Sequence, residues 1–219
     1  MRSYGQFCGV AHALDLVGER WALLVVRELV LGPKRFTDLA AGLPGIGTNI
    51  LTARLRELEQ TGVVERRVLP PPAGSTVYDL TPYGRELEPV LLALGRWGVH
   101  SMTARRPDQA LQSGWIGVAL RAYVDQDAEL GAAGTVELRL EDATLHVRLV
   151  RGDIAVEHGP AAAPELVVES GNEPLLAMLA RLLPPEQAIE AGLVGVDGDQ
   201  RLLTALLEAI PFPAVTNGG

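Results

Sequence analysis

Side chains suited to polar recognition crowd into residues 48–56 of this 219-residue chain, which read Thr48, Asn49, Ile50, Leu51, Thr52, Ala53, Arg54, Leu55, Arg56. Arg54 and Arg56 are of the type that reaches a guanine edge or a phosphate. Asn49 suits adenine or phosphate, and Thr48 and Thr52 suit backbone oxygens of a duplex. Lys34 and Arg35 precede this segment and Arg66 and Arg67 follow it, all expected on phosphates, with Ser75 and Thr76 as hydroxyl contacts. The bland alternative is an ordinary solvated helix face, and Arg54, on the flank, is equally placed to pair with a neighbouring acid. Bond-making chemistry has no comparable block. No nucleophile stands in a catalytic motif, and His12, His100, His146 and His158 lack the spacing of a metal cluster. The stretch Gly45 to Ile50 has two glycines of a dinucleotide fingerprint, but no strand precedes it and the third glycine is missing. Asp197 and Asp199 flank Gly198 in a turn too short for a calcium loop. No enzyme, metal or cofactor is expected. Cys8 reads either as a small apolar side chain or as a redox-active thiol, and nothing strongly electropositive near it in sequence implies a lowered pKa.

A helix that presents such groups needs an apolar back. Leu51, Leu55 and Leu58 recur at i, i+4 and i+7, while Asn49, Thr52, Ala53 and Arg56 project on the other side at about 100° per residue. Thr48 is expected to cap this helix, Gln60 to end it and Gly62 to stop it. Upstream the pattern predicts a helix from Cys8 to Val17 and a nearly all-apolar one from Trp21 to Leu31, closed by Gly32 and Pro33. A short helix capped by Thr37 then runs to Leu43, and a turn spans Pro44 to Gly47. Downstream come strands over Val63–Leu69 and Thr76–Leu80, with the tip PPPAGS at 70–75 between them. Strand alternation allows only one of Arg66 and Arg67 to face DNA. From Pro82 a helix carries Leu87, Val90, Leu91, Leu94 and Trp97 on one stripe, expected as a dimer contact. This order is a winged helix-turn-helix, which places one helix in the major groove and a hairpin on the backbone.

The domain boundary is set at residue 105, with a linker at 106–112 and a second domain at 113–212. Trp115, Val118, Ala119, Ala122 and Tyr123 mark a helix there. The period then drops to two through Val136, Leu138 and Leu140 and again through Leu145, Val147 and Leu149. Further strands are expected over Ile154–Glu157 and Leu166–Glu169. Next comes a helix capped by Asn172, the strand LVGV, a DGD turn and a closing helix, with a disordered tail over 213–219. The fold class is α+β: a winged helix-turn-helix domain, then a sheet with segregated helices.

Composition agrees with a divided chain. The net charge of −8 splits into +2 over residues 1–105 (12 basic, 10 acidic) and −10 over 106–219 (7 basic, 17 acidic). A mildly basic half beside an acidic one permits local DNA binding in spite of the overall sign. The 47% hydrophobic and 21% charged shares are those of a globular protein. No long apolar run or signal-peptide core is present, and the single cysteine excludes an internal disulfide, so a cytoplasmic setting without a membrane partner is expected.

The first half resembles the HxlR family of winged-helix regulators, a group related to MarR. Four features carry this: Cys8 ahead of Leu14, Gly18, Arg20 and Trp21; the block RFTDLAAGLPGIGTNILTARLRELEQTGVVER; the block YDLTPYGREL; and Trp97 in the last helix. The turn GIGTN departs from the serine and basic residue of many members. The resemblance implies a homodimer on a pseudo-palindromic operator, usually a repressor, and in several members a thiol switch at the N-terminal cysteine that bridges subunits. The second half resembles sterol-carrier-protein-like domains through ELVVES, PLLAMLARLLPPEQAIEAG and LVGVDGD. That implies an apolar tunnel for a lipid-like molecule, with Trp115, Tyr123, Met178, Leu179 and Leu182 as wall residues.

Overall fold

The computed structural model describes residues 3–70, 74–102, 105, 106 and 108–213; the hairpin tip at 71–73, part of the expected linker and the tail from 214 onward lie outside the described residues. The chain divides into two compact units, Met1–Leu91 and Leu92–Gly219. This division falls earlier than residue 105. Leu91 is the last buried apolar side chain among the described residues before Ile116.

The first unit holds α1 (Gly9–Val17), α2 (Ala22–Val30), α3 (Phe36–Gly42), α4 (Thr48–Gln60), β1 (Val64–Val68), β2 (Thr76–Leu80) and α5 (Pro82–Arg85), and α6 (Leu87–Val99) begins in it. Helix α2 is central because it is apolar nearly all round: Ala22, Val25, Val26, Leu29 and Val30 are buried, and it packs on α3, α4 and β2. Leu51, Leu55 and Leu58 anchor α4 with 1% exposure or less. Burying a leucine is worth about 1.5–3 kcal/mol, so this seam anchors α4 by its back. Strands β1 and β2 pair antiparallel from Val64↔Leu80 to Val68↔Thr76. Lys34 adds one bridge to Tyr78, its N–H donating to the Tyr78 carbonyl at 3.0 Å and its own carbonyl accepting at 2.8 Å.

Two helix starts and one helix run differ from expectation, because a helix begins where the N–H groups of its first turn find acceptors. Helix α3 opens at Phe36, with the Arg35 N–H donating to Asp38 Oδ2 at 3.2 Å. Thr48 lies inside α4 and Gly47 takes the cap position. The helix expected from Pro82 breaks at Glu86 into α5 and α6. Thr81 caps α5, its Oγ1 accepting from the Gly84 N–H at 3.0 Å. Gly84 lies so close to the Val63 carbonyl that a Cβ would overlap it, which explains a glycine there.

In the second unit, α7 (Ser113–Tyr123) precedes β3 (Gly134–Arg139), β4 (Thr144–Leu149), β5 (Ala155–His158) and β6 (Leu166–Ser170). Then follow α8 (Asn172–Leu179), α9 (Pro185–Glu190), β7 (Val194–Gly198) and α10 (Arg201–Ala209). The sheet order is β5-β4-β3-β6-β7, with β3 and β6 parallel and every other pair antiparallel. One sheet face is apolar (Val136, Leu138, Leu145, Val147, Leu166, Val168), and α10 packs on β3 and β4 while α7 packs on β5. The opposite face is polar, yet Glu137 on it is only 3% exposed. The crossover between β5 and β6 explains this, because the Ala161 N–H donates to Glu137 Oε2 at 2.8 Å and Arg139 Nε donates to Oε1 at 2.8 Å. Burial pushes this carboxyl up, but the hydrogen bonds from Arg139 and Ala161 and the charges of Arg139 and His146 together bring it below its ordinary value.

The turn between β3 and β4 carries two acids, each at the start of a different helix. Asp142 Oδ1 accepts from the Ser113 N–H of α7 at 2.9 Å, and Glu141 Oε1 accepts from the Asn172 N–H of α8 at 3.1 Å. Asn172, expected as the cap of α8, is its first residue instead. Its buried Nδ2 donates to Glu141 Oε2 and to the Leu111 carbonyl.

Candidate nucleic-acid interface

Helix α4 presents Thr48, Asn49, Thr52 and Arg56 to solvent, opposite its buried leucines. Ile50, beside them, is 48% exposed, so an apolar contact accompanies the polar front. The Thr52 hydroxyl donates to the Thr48 carbonyl at 2.9 Å, which engages its only proton within the helix.

The cations of this unit fall into two sets. Arg35, Arg56 and Arg66 are exposed and form no ion pair among the described residues. Lys34, Arg54 and Arg67 are engaged. Lys34 Nζ lies 2.7 Å from Glu28 Oε2, and Arg27 Nη2 lies 2.7 Å from Oε1 of the same carboxylate. Arg54 Nη1 lies 2.5 Å from Glu57 and 3.9 Å from Glu19. Arg67 Nη2 lies 2.5 Å from Asp79 Oδ2, whose Oδ1 takes Arg85 Nη2 at 2.7 Å. Ser75 and Thr76 stand at the start of β2, Thr76 fully exposed and Ser75 half-buried.

Glu28 and Asp79, both 3% exposed, are not marked as structural by residue type alone, although each leaves a signal in the sequence. Glu28 is the lone acid of the all-apolar α2, and Asp79 shares the inward phase of β2 with Val77. A buried carboxylate needs paired partners, and each acid has two cations. Together they tie α2 to the segment before α3, and the wing to α5. Gly42 belongs to this arrangement, since a Cβ there would overlap the Glu28 carboxylate.

Cys8 is exposed at the cap position of α1. The N–H groups of Ala11 and Val10 hold its thiol below the ordinary value, against slight desolvation. This lowering comes from a helix start, a feature that neighbouring residue types do not reveal. Tyr4, Phe7, Val10 and Leu14 around it are exposed, as are Val90, Leu94 and Trp97 on α6.

The expected ligand-wall residues differ widely in exposure. Met178 and Leu179 are fully buried, Trp115 and Tyr123 are half-buried, and Leu182, beyond the end of α8, is 68% exposed. A cleft of about 610 Å³ in this unit is lined by other residues, including Arg105, Leu111, Glu141, Asn172, Glu173 and Leu193. Its wall mixes polar and apolar surface.

Residues 16–106 match the model of the HxlR-like helix-turn-helix family. The uncharacterized HTH-type transcriptional regulator sll1512 of Synechocystis is 43% identical over 94 residues, covering 43% of this chain and 70% of that protein. The HTH-type transcriptional regulator YodB of Bacillus subtilis is 40% identical over 85 residues, 39% of this chain and 76% of its own. Among solved structures, the redox regulator HypR in its oxidized form shares 35% identity with a TM-score of 0.41, over 44% of this chain and 100% of that one.

Proposed function

The chain belongs to the HxlR-like family of helix-turn-helix transcriptional regulators, and from that premise we propose that it represses transcription as a homodimer on a pseudo-palindromic operator. The observation that carries this is α4, whose Leu51, Leu55 and Leu58 are buried to 1% exposure or less while Asn49 and Arg56 stand free on the opposite side. Arg56 takes a guanine edge or phosphate, and Arg35 and Arg66 take phosphates. Lys34 reaches a phosphate with the donors left over from Glu28, while Arg67, on the other face of β1 from Arg66, stays with Asp79. Two-fold symmetry sets the half-sites about 34–36 Å apart, or a multiple of that. Replacing Arg56 by Ala should weaken operator binding by about 1–3 kcal/mol in fluorescence anisotropy while the melting curve stays put. Unchanged affinity would remove Arg56 from the interface.

For residues 113–212 the reading is a sterol-carrier-like domain that senses a small apolar ligand. Its support is the apolar sheet face backed by helices, with Met178 and Leu179 buried in that unit. Such a ligand alters DNA affinity only by favouring one dimer geometry over another. A second reading, favoured by the exposed and acidified Cys8 thiol, is a redox-switched regulator whose second domain is structural only.

A further inference from the structure

Arg54 lies on the flank of the groove-facing helix, its guanidinium held by one carboxylate at 2.5 Å and neighboured by a second at 3.9 Å. Glu57 comes from the same helix three residues on, and Glu19 comes from the connection between α1 and α2. The Arg54 side chain is 17% exposed, against 56% for Glu19 and 46% for Glu57, so the two acids stand on the solvent side of it. Exposed ion pairs are ordinarily worth little, because two flexible side chains have to be ordered together. The backbone on either side of Glu19 is unusually constrained, which fixes where its side chain starts from. Gly18 sits so close to the Leu14 carbonyl that a Cβ would overlap it, and Trp21 is held at φ 79°, a left-handed conformation that a bulky residue keeps only when its surroundings impose it. The Arg20 guanidinium lies 5.4 Å from the centre of the Trp21 ring.

Resting on the DNA-binding reading above, we infer that Glu19 and Glu57 compete with a DNA phosphate for Arg54, so that the placement of the α1–α2 connection sets how tightly the groove-facing helix binds. Arg54 is then a phosphate contact kept in reserve. Displacing Glu19 leaves Glu57 as its sole acid partner and lets the guanidinium turn outward. Helix α1 ends at this connection and begins just after its cap residue Cys8, with Val10 and Leu14 exposed along it. Whatever seats or re-seats that helix therefore acts on the distance between Glu19 and Arg54.

Phosphate contacts are independent of base sequence, so the test uses the full-length chain and a mixed-sequence DNA duplex, with anisotropy followed across a salt series. Glu19→Gln should tighten binding about two- to fivefold and steepen the slope of log affinity against log salt by about 0.9, the increment of one added phosphate contact. Glu57→Gln should do at least as much. Both gains should vanish when Arg54→Gln is introduced in the same chain. Gains that persist in the Arg54→Gln background would come from removing negative charge near DNA in general, and would overturn the inference. So would glutamate variants that bind like the parent protein. A parent chain with no salt-dependent binding at all would overturn the DNA-binding reading along with it.

Discussion

At the level of single residues, the cations of the first unit are alike in sequence and unlike in the fold. Arg56 and Arg66 are free, whereas Lys34 and Arg67 each spend a bond on a buried acid. The difference arises because Glu28 and Asp79 are drawn inside with α2 and β2 and then need compensating charge. Residue type identifies the candidate cations, but the commitments of their side chains depend on which acids become buried. Cys8 follows the same rule. The neighbouring residue types implied an ordinary thiol, and the start of α1 makes it more acidic. If it is a switch, diamide, by taking up the hydrogens of two thiols, should convert the chain to a Cys8–Cys8 dimer on a non-reducing gel and release DNA. A monomer band after oxidation, with the Cys8→Ser variant releasing DNA just as the parent does, would end that reading.

At the level of elements, periodicity located nearly every helix and strand, including the alternation of β3 and β4. It missed the starts of α3, α4 and α8 and the break at Glu86, since those depend on which backbone N–H groups find acceptors. Helix α6 buries only Leu91 fully, and exposes Val90, Leu94 and Trp97 at i, i+4 and i+7. An apolar stripe of this kind calls for a partner, and a second copy fits the family. Replacing Leu94 by Glu should shift the protein from dimer to monomer in size-exclusion chromatography; an unchanged elution volume would place the dimer seam elsewhere. The crossover after β5 hangs on Glu137, whose carboxyl titrates below its unfolded value despite burial. Its stabilisation is fully present above the unfolded value and is lost as the pH falls through the folded one. Unfolding midpoints should therefore drop as the pH goes below about 4, and Glu137→Gln should flatten that acid limb. Identical limbs for parent and variant would show that the tie contributes nothing.

At the level of the whole molecule, the first unit, Met1–Leu91, has no net charge (10 basic, 10 acidic) and carries the helix-turn-helix, while the second, Leu92–Gly219, has −8 (9 basic, 17 acidic) and carries the five-stranded sheet. If the second domain senses a ligand, the purified protein should either carry an apolar molecule in native mass spectrometry or gain melting temperature with a long-chain fatty acid. An empty protein, unmoved by such compounds, would reduce that domain to a structural one.

The amino-acid sequence alone determined the order and type of the elements, the back and front of α4 and the division of charge, because hydrophobic period and turn chemistry act locally. Tertiary structure alone decided which arginines are free, why Glu28, Asp79 and Glu137 tolerate burial, and where the two units divide. For Asp79 and Glu137 those outcomes depend on pairings between residues far apart in the chain, Arg67 with Asp79 and Ala161 with Glu137, whereas Glu28 is held by its near neighbours Arg27 and Lys34 once α2 buries it. No local pattern encodes the distant pairings.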